Sequence, residues 1–191
     1  MFKIITSGGE NIAPVPIEEN IKKELEDVLS NVVVVGDGRK FLTCMVTLKV
    51  EVDPMTQKPS TLLTDSTRAW AQRILPDSSK GVETLDDFIN GEHADELQEA
   101  LEAGSFKLDV FQCTSHDFKC LGLLRANEKA SSRAHKVQKI QVLPTEFSVE
   151  TGELGPALKL KRYFVYEKFQ DIIDQIYEED LTRKIAHKSV N

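Results

Sequence analysis

Residues 4–18 read IITSGGENIAPVPIE, and this stretch is the most informative part of the chain. β-prone residues lead into Gly8 and Gly9, which let the backbone turn tightly and pass close to a ligand because neither has a Cβ atom. Glu10 and Asn11 place polar side chains at the edge of that turn. The glycine spacing matches neither a Walker phosphate loop nor a dinucleotide fingerprint, so spacing alone predicts only a turn.

A second run, GELGPALKLKR, covers residues 152–162. In this order, the two runs resemble the carboxyl-terminal subdomain of the AMP-forming acyl-CoA synthetases. The residue sequence of the first run resembles that of the bubblegum-type long-chain fatty acid–CoA ligases. The resemblance extends over residues 3–104 and 125–179. It implies an α/β lid subdomain, a small mixed sheet with a hairpin and flanking helices, over residues 1–179, followed by a charged tail over residues 180–191.

The resemblance implies two half-reactions. In the first, a long-chain fatty acid carboxylate attacks the α-phosphate of ATP, and a lysine bridges the two anions as a compact positive charge. The family motif falls on Lys159, with Lys161 as a rival two residues on and Arg162 as a supporting residue. Without the resemblance, the same Lys-Leu-Lys-Arg run is typical of a solvated basic patch before a helix.

In the second half-reaction, CoA displaces AMP to form the thioester. The resemblance implies that the subdomain rotates and brings Gly8 and Gly9 to the CoA channel, where side chains would obstruct the pantetheine arm. Glu10 and Asn11 would then orient the loop or the surroundings of the thiol. The alternative for these two residues is simple turn chemistry leading into a helix.

Composition limits the remaining function classes. With 191 residues, 40% of them hydrophobic, the chain can bury a core, and length suggests one domain or one domain with a long insertion. The net charge of −7 argues against nucleic acid as a partner, since phosphates require a basic surface. No apolar stretch approaches a membrane span, and the first residues form no signal or transit segment, so we expect a cytoplasmic chain that is at most peripheral to intracellular membranes.

Residues 105–124 fit the family pattern poorly and predict an insertion, which is either a surface excursion of an unusual transcript or a gene-model artefact. Cys113, His116, Asp117 and Cys120 within it are ligand types that zinc takes, but a repeated Cys-x-x-Cys hook is missing. We therefore expect free thiols in a loop and no metal site. Cys44 falls on the apolar side of a strand and is expected in the core.

Periodicity predicts alternating strands and helices. Asn31 is expected to end the first helix, and residues 53–64 are expected to be a polar connection. The predicted elements are a strand at 4–6, a helix at 16–29, a strand at 32–35, a hairpin loop at 36–40, one long strand at 42–52 with alternating faces, a helix containing Trp70 and Ile74, a helical stretch at 84–104, a strand at 137–143 and a helix at 163–177.

The sequence contains no phosphate loop and no aromatic adenine motif. We therefore expect a chain that lacks its partner, the amino-terminal adenylate-forming domain, and is inactive alone; Mg²⁺ would bind mainly outside it. The alternative is a non-catalytic truncated product that acts as a binding module. The four histidines lie on polar segments without a nucleophile elbow beside them, which argues against a hydrolase.

Overall fold

The computed structural model describes residues 2–56, 58–75, 81–103 and 122–178. The chain divides into two compact units, residues 1–146 and residues 147–191. The first unit contains seven strands and five α-helices within the described ranges, and the second contains the helix that follows the lysine-rich run. Each unit is described below by itself.

The chain begins with a short antiparallel hairpin and a helix. Strand β1 (Ile4–Ile5) pairs with β2 (Asn11–Ile12), and helix α1 (Pro14–Glu24) follows. Proline suits the first turn of α1 because the N–H that it lacks has no partner inside a helix. The predicted helix end at residue 29 is wrong, although its apolar stripe does face the core. Leu25 caps the helix instead, and the chain then turns to enter the sheet.

The central sheet has three strands in the order β3 (Leu29–Val35), β4 (Leu42–Leu48) and β7 (Val137–Val142). The β3–β4 pair is antiparallel and closes through the predicted loop at 36–40, whereas β4 and β7 are parallel. A parallel pair needs a long crossover, and the helices between β4 and β7 supply it. The strand predicted at 32–35 starts three residues earlier, so Asn31 lies within β3 and does not end a helix.

Strand β4 is buried along its whole length, since both of its faces are covered. The predicted alternation of an apolar and a polar face is therefore wrong there, and Thr43 and Thr47 are fully buried. Cys44 is buried as predicted. The predicted strand at 42–52 also breaks after Leu48: a separate β5 (Val50–Val52) pairs with β6 (Pro59–Leu63), inside the stretch expected to be a connection.

Four helices follow in the first unit. The predicted stretch at 84–104 is two helices, separated where Gly91 packs against the carbonyl oxygen of Asp87 so closely that a Cβ atom would lie 2.1 Å from it. Thr84 caps the first of the two with a capping box to Asp87, and these bonds hold the pKa of the Asp87 carboxyl below its ordinary value, the Thr84 hydroxyl contributing most. The helices are α2 (Asp65–Ile74), α3 (Leu85–Asn90), α4 (Ala94–Ala103) and α5 (Gly122–Glu128).

In the second unit, helix α6 (Arg162–Lys168) ends at Phe169, and residues 170–178 are helical again. The helix predicted at 163–177 therefore exists but is interrupted at Phe169. Its predicted apolar stripe is largely buried, including Val165, Phe169 and Ile173. The rings of Phe147 and Phe169 contact each other at 6.1 Å between centroids, which ties the start of this unit to its helix.

Several sequence-based expectations lie outside the described residues. These are most of the insertion at 105–124, with its two cysteines, His116 and Asp117, and the tail at 180–191; residues 122–124 form the start of α5. Within the described ranges, no helix is long and apolar enough to cross a membrane.

Candidate functional site

The Gly-Gly run is the loop of the first hairpin. Gly9 has a φ of +81°, a left-handed conformation that residues with a side chain rarely adopt. Its N–H donates to the carbonyl oxygen of Thr6 at 2.9 Å, and the Thr6 N–H donates to the carbonyl oxygen of Glu10 at 3.1 Å. The Thr6 hydroxyl also accepts the Glu10 N–H at 3.2 Å. Thr6 therefore organises the loop from inside, and Gly8 and Gly9 stay exposed.

The turn between β3 and β4 supports this loop from one side. The Asp37 carboxylate accepts the N–H of Ile5 at 2.8 Å, and the Gly38 N–H donates to the Ile5 carbonyl at 2.7 Å. The Ser7 N–H donates to the carbonyl oxygen of Arg39 at 2.9 Å. Three bonds from a turn about thirty residues away thus hold the approach to the glycines.

Glu10 and Asn11 are exposed on this hairpin, and Asn11 is the first residue of β2. Neither side chain makes a hydrogen bond or an ion pair with any other residue in the described ranges. Their polar ends are therefore available to a ligand or to a partner surface. The four residues of this group share the first hairpin, whose second strand was not predicted from the sequence.

The lysine-rich run forms a tight loop that leads into α6. Leu154 and Leu160 form an isolated antiparallel bridge, and between them the Gly155 N–H donates to the carbonyl oxygen of Lys159 at 2.8 Å. The Leu158 N–H donates to the carbonyl oxygen of Gly155 at the same distance. Leu158 has a φ of +56°, and its side chain is 71% exposed. This left-handed residue turns the chain immediately before Lys159.

Lys159 and Lys161 are both exposed, but their surroundings differ. The Lys161 N–H donates to the carbonyl oxygen of Glu153 at 2.7 Å, and its Cε atom lies 3.9 Å from where a Cβ atom of Gly155 would be. Lys161 therefore lies along its own loop and caps α6, while Arg162 begins that helix. Neither the Lys159 ammonium nor the Lys161 ammonium has an acidic partner or a hydrogen bond among the described residues.

Glu153 is the buried acidic residue beneath this loop, with no exposed surface. Its carboxylate accepts the Lys168 ammonium, the Thr151 hydroxyl and, at 3.4 Å, the Ser148 N–H. Burial by itself would raise the pKa of the Glu153 carboxyl, but the hydrogen bonds from the Lys168 ammonium, the Thr151 hydroxyl and the backbone N–H groups of Glu153 and Ser148 together hold this pKa below its ordinary value. Glu153 is thus ionised at neutral pH.

Sequence reasoning did not assign a role to Asp37 or Glu153. Asp37 stood inside a predicted hairpin loop, and Glu153 stood inside the second quoted run. An acidic residue beside a glycine in a loop is a common turn pattern, so the sequence carried no signal that either would brace a neighbouring segment.

The two groups of candidate residues lie in different units. The hairpin with Gly8, Gly9, Glu10 and Asn11 belongs to the first unit, and the loop with Lys159 belongs to the second. Among the described residues, no group of three or more histidine, cysteine, aspartate or glutamate side chains is placed to hold a metal ion.

Comparison with known sequences gives a consistent result. The family described as the AMP-binding enzyme C-terminal domain matches residues 3–72. The chain is 39% identical over 178 residues to the long-chain-fatty-acid–CoA ligase ACSBG1 of Homo sapiens, covering 92% of this chain and 21% of that protein. It is 40% identical over 178 residues to the long-chain-fatty-acid–CoA ligase heimdall of Drosophila melanogaster, covering 92% and 25%. The chain thus spans about a fifth to a quarter of these relatives.

Solved structures agree with the fold. The adenylation domain of a carboxylate reductase from Mycobacterium chelonae superposes with a TM-score of 0.56 at 17% identity, over 92% of this chain and 19% of that one. The corresponding domain from Segniliparus rugosus gives 0.53 at 15% identity, over 93% and 20%. Taken together, the matches make residues 3–72 similar to the carboxyl-terminal domain of AMP-binding enzymes and the chain similar, over most of its length, to long-chain fatty acid–CoA ligases.

Proposed function

We propose that this chain is the carboxyl-terminal lid of an ATP-dependent long-chain fatty acid–CoA ligase. Its partner would be an amino-terminal adenylate-forming domain, and its substrates would be a long-chain fatty acid, ATP and CoA. The observation that carries the proposal is Lys159, an exposed ammonium without an acidic partner in the described ranges, on a tightly bonded loop.

Lys159 would act in adenylate formation. A carboxylate oxygen of the fatty acid attacks the α-phosphorus of ATP, the bond from that phosphorus to the bridging oxygen breaks, and pyrophosphate leaves with the electron pair. The reacting groups are both anions, so a cation between them lowers the barrier. A lysine that is already neutralised by a carboxylate would do this poorly, and Lys159 is not neutralised by any described residue.

The Gly-Gly loop would act in thioester formation. The CoA sulfur, as thiolate, attacks the acyl carbonyl carbon, the carbon–oxygen bond to the phosphate breaks, and AMP leaves. The open space around Gly9, with no heavy atom within 4 Å of a Cβ position, would let the pantetheine arm pass the backbone. Glu10 and Asn11, exposed beside it, would orient that arm. Mg²⁺ would bind mainly outside this chain.

The test uses a fusion in which this chain replaces the matching region of the Drosophila relative. Lys159→Ala and Lys161→Ala are compared in two assays, acyl-adenylate formation and thioester formation from supplied acyl-adenylate. Loss of one such electrostatic group costs about 10²–10³ in rate, so we expect Lys159→Ala to lose that much in the first assay and to keep the second. Lys22→Ala, an exposed lysine on α1, is the control that should change neither assay.

The outcomes separate the alternatives. If Lys161→Ala abolishes adenylation and Lys159→Ala does not, the residue assignment is wrong. If neither lysine matters, or if the unsubstituted fusion performs neither half-reaction, the ligase proposal fails and the non-catalytic binding module becomes the better description.

A further inference from the structure

The carboxylate of Glu153 is fully buried, although it lies in a loop of a small unit. Burying an ionised carboxylate is unfavourable unless charge and hydrogen bonds compensate for the lost hydration. Here the Lys168 ammonium, the Thr151 hydroxyl and the Ser148 N–H all donate to it. Three separate groups thus stabilise the charge of this one side chain.

These contacts join three separate places in the second unit. Ser148 and Thr151 begin the loop, and Lys168 is the last residue of α6. The carbonyl oxygen of Glu153 accepts the Lys161 N–H at 2.7 Å, at the start of the same helix. Glu153 therefore connects the entrance of the loop to both ends of the helix that follows it.

The segment enclosed by these contacts carries Lys159. Around Lys159 itself, the Gly155 N–H donates to the carbonyl oxygen of Lys159 and the Leu158 N–H donates to that of Gly155. Neither bond links the loop to the helix. The Glu153 carbonyl oxygen and the Glu153 carboxylate each bind a residue at one end of this helix, Lys161 and Lys168, so Glu153 bears on the direction in which Lys159 projects.

We propose that Glu153 is a positioning residue for adenylate formation, which holds the loop on α6 and so fixes where the Lys159 ammonium is presented. The inference rests on the proposed role of Lys159. The negative charge is required as well as the shape, since Gln would keep an acceptor oxygen but leave the Lys168 ammonium without its counter-ion. Lys168 is the ion-pair partner of Glu153 on α6, and its ammonium also lies 5.5 Å from the centroid of the Phe169 ring.

The first experiment uses the fusion described above. A displacement of about 1 Å can cost up to about 10²-fold in rate, so we expect Glu153→Gln to slow adenylate formation by about 10- to 100-fold. Thioester formation from supplied acyl-adenylate should keep its rate. Glu167→Gln, which removes an exposed carboxylate from the same helix, should change neither.

A double variant distinguishes positioning from general destabilisation. If Glu153 acts through Lys159, then Glu153→Gln combined with Lys159→Ala should be no slower in adenylation than Lys159→Ala alone. Additive losses, or equal losses in both half-reactions, would overturn the inference. If instead Lys159→Ala itself has no effect, the proposed function fails.

The second experiment uses the 191-residue chain and needs no activity. Amide hydrogen exchange in Glu153→Gln should become at least about tenfold faster at Leu158 and Lys161, whereas the Phe169 amide, which donates to Val165 within the helix, should keep its protection. Unchanged exchange at Leu158 and Lys161 would show that the loop is held without Glu153 and would overturn the positioning role, whatever the fate of Lys159. Equal loss of protection at Phe169 would show unfolding of the unit and would overturn it as well.

Discussion

The Asp37 carboxylate accepts the backbone N–H of Ile5 at 2.8 Å, across 32 residues of chain. This bond ties the turn between β3 and β4 to the strand that leads into the Gly-Gly loop. Because Gly38 also donates to the Ile5 carbonyl, both backbone polar groups of one residue are satisfied by the same turn. The position of the glycine loop is therefore set by a neighbouring turn as well as by its own hairpin.

Removal of this acceptor should loosen the loop. In Asp37→Ala we expect faster amide exchange at Ile5 and a loss of stability of about 1 kcal/mol, the usual net contribution of one hydrogen bond. Asp37→Asn keeps an acceptor oxygen and should keep most of the protection. Equal exchange at Ile5 in the Ala variant and in the unsubstituted chain would show that the two Gly38 and Arg39 contacts suffice.

The two glycines should respond differently to substitution. Gly9 has a φ of +81°, so Gly9→Ala should destabilise the chain by about 1–2 kcal/mol through backbone strain alone. Gly8 lacks a positive φ, and the nearest atom to its Cβ position is 3.8 Å away, so Gly8→Ala should be neutral or slightly stabilising. Urea unfolding of the 191-residue chain measures both. Similar losses for the two variants would contradict the backbone argument.

A bulky side chain at Gly9 tests the proposed CoA passage in the fusion. Gly9→Leu should slow thioester formation from supplied acyl-adenylate by more than Gly9→Ala does, since both variants carry the same backbone strain and differ only in bulk. Adenylate formation should be spared in both. A passage elsewhere would be indicated if the two variants formed thioester equally fast.

Replacement of Leu158 by glycine should raise the free energy of unfolding of the chain. A left-handed residue with a side chain costs about 1–2 kcal/mol, and glycine loses about 0.5–1 kcal/mol of backbone entropy, so the net gain for Leu158→Gly is up to about 1.5 kcal/mol. The exposed Leu158 side chain loses little packing when it is removed. Leu158→Val, with a β-branched side chain, should be destabilising, and thermal unfolding of the two variants should move the midpoint in opposite directions.

The ion pair of Glu153 should make stability depend on pH. Burial would raise its carboxyl pKa, but its hydrogen bonds, the one from the Lys168 ammonium foremost, together hold this pKa below the ordinary value of 4.5 in the folded chain. The contribution is therefore complete above that value and is lost as the pH falls through the lower folded pKa. The difference in unfolding free energy between the unsubstituted chain and Glu153→Gln should thus be largest near neutral pH and shrink in acid. A difference that grows in acid would contradict the sign.

Local patterns in the sequence were sufficient for much of the fold. The β-branched run at 32–35, the apolar stripe of α1 and the glycine-containing turns at 8–9 and 36–38 all depend on neighbouring residues. The sequence also placed the candidate residues in two runs, and the structure finds each run on one loop. The assignment of Lys159 and the Gly-Gly loop to their half-reactions stays a prediction.

The sequence by itself determined which segments bury an apolar face and where the backbone needs glycine, because periodicity and turn chemistry are properties of consecutive residues. Tertiary structure decided where helices end and which polar groups meet. Asn31, expected to end a helix, instead donates from its side chain to Glu146 at 2.6 Å across 115 residues. The pairing of β6, the Asp37 contact and the Glu153–Lys168 ion pair depend on partners that folding brings near, because hydrogen bonds and ion pairs between segments form only when the chain places the two groups together.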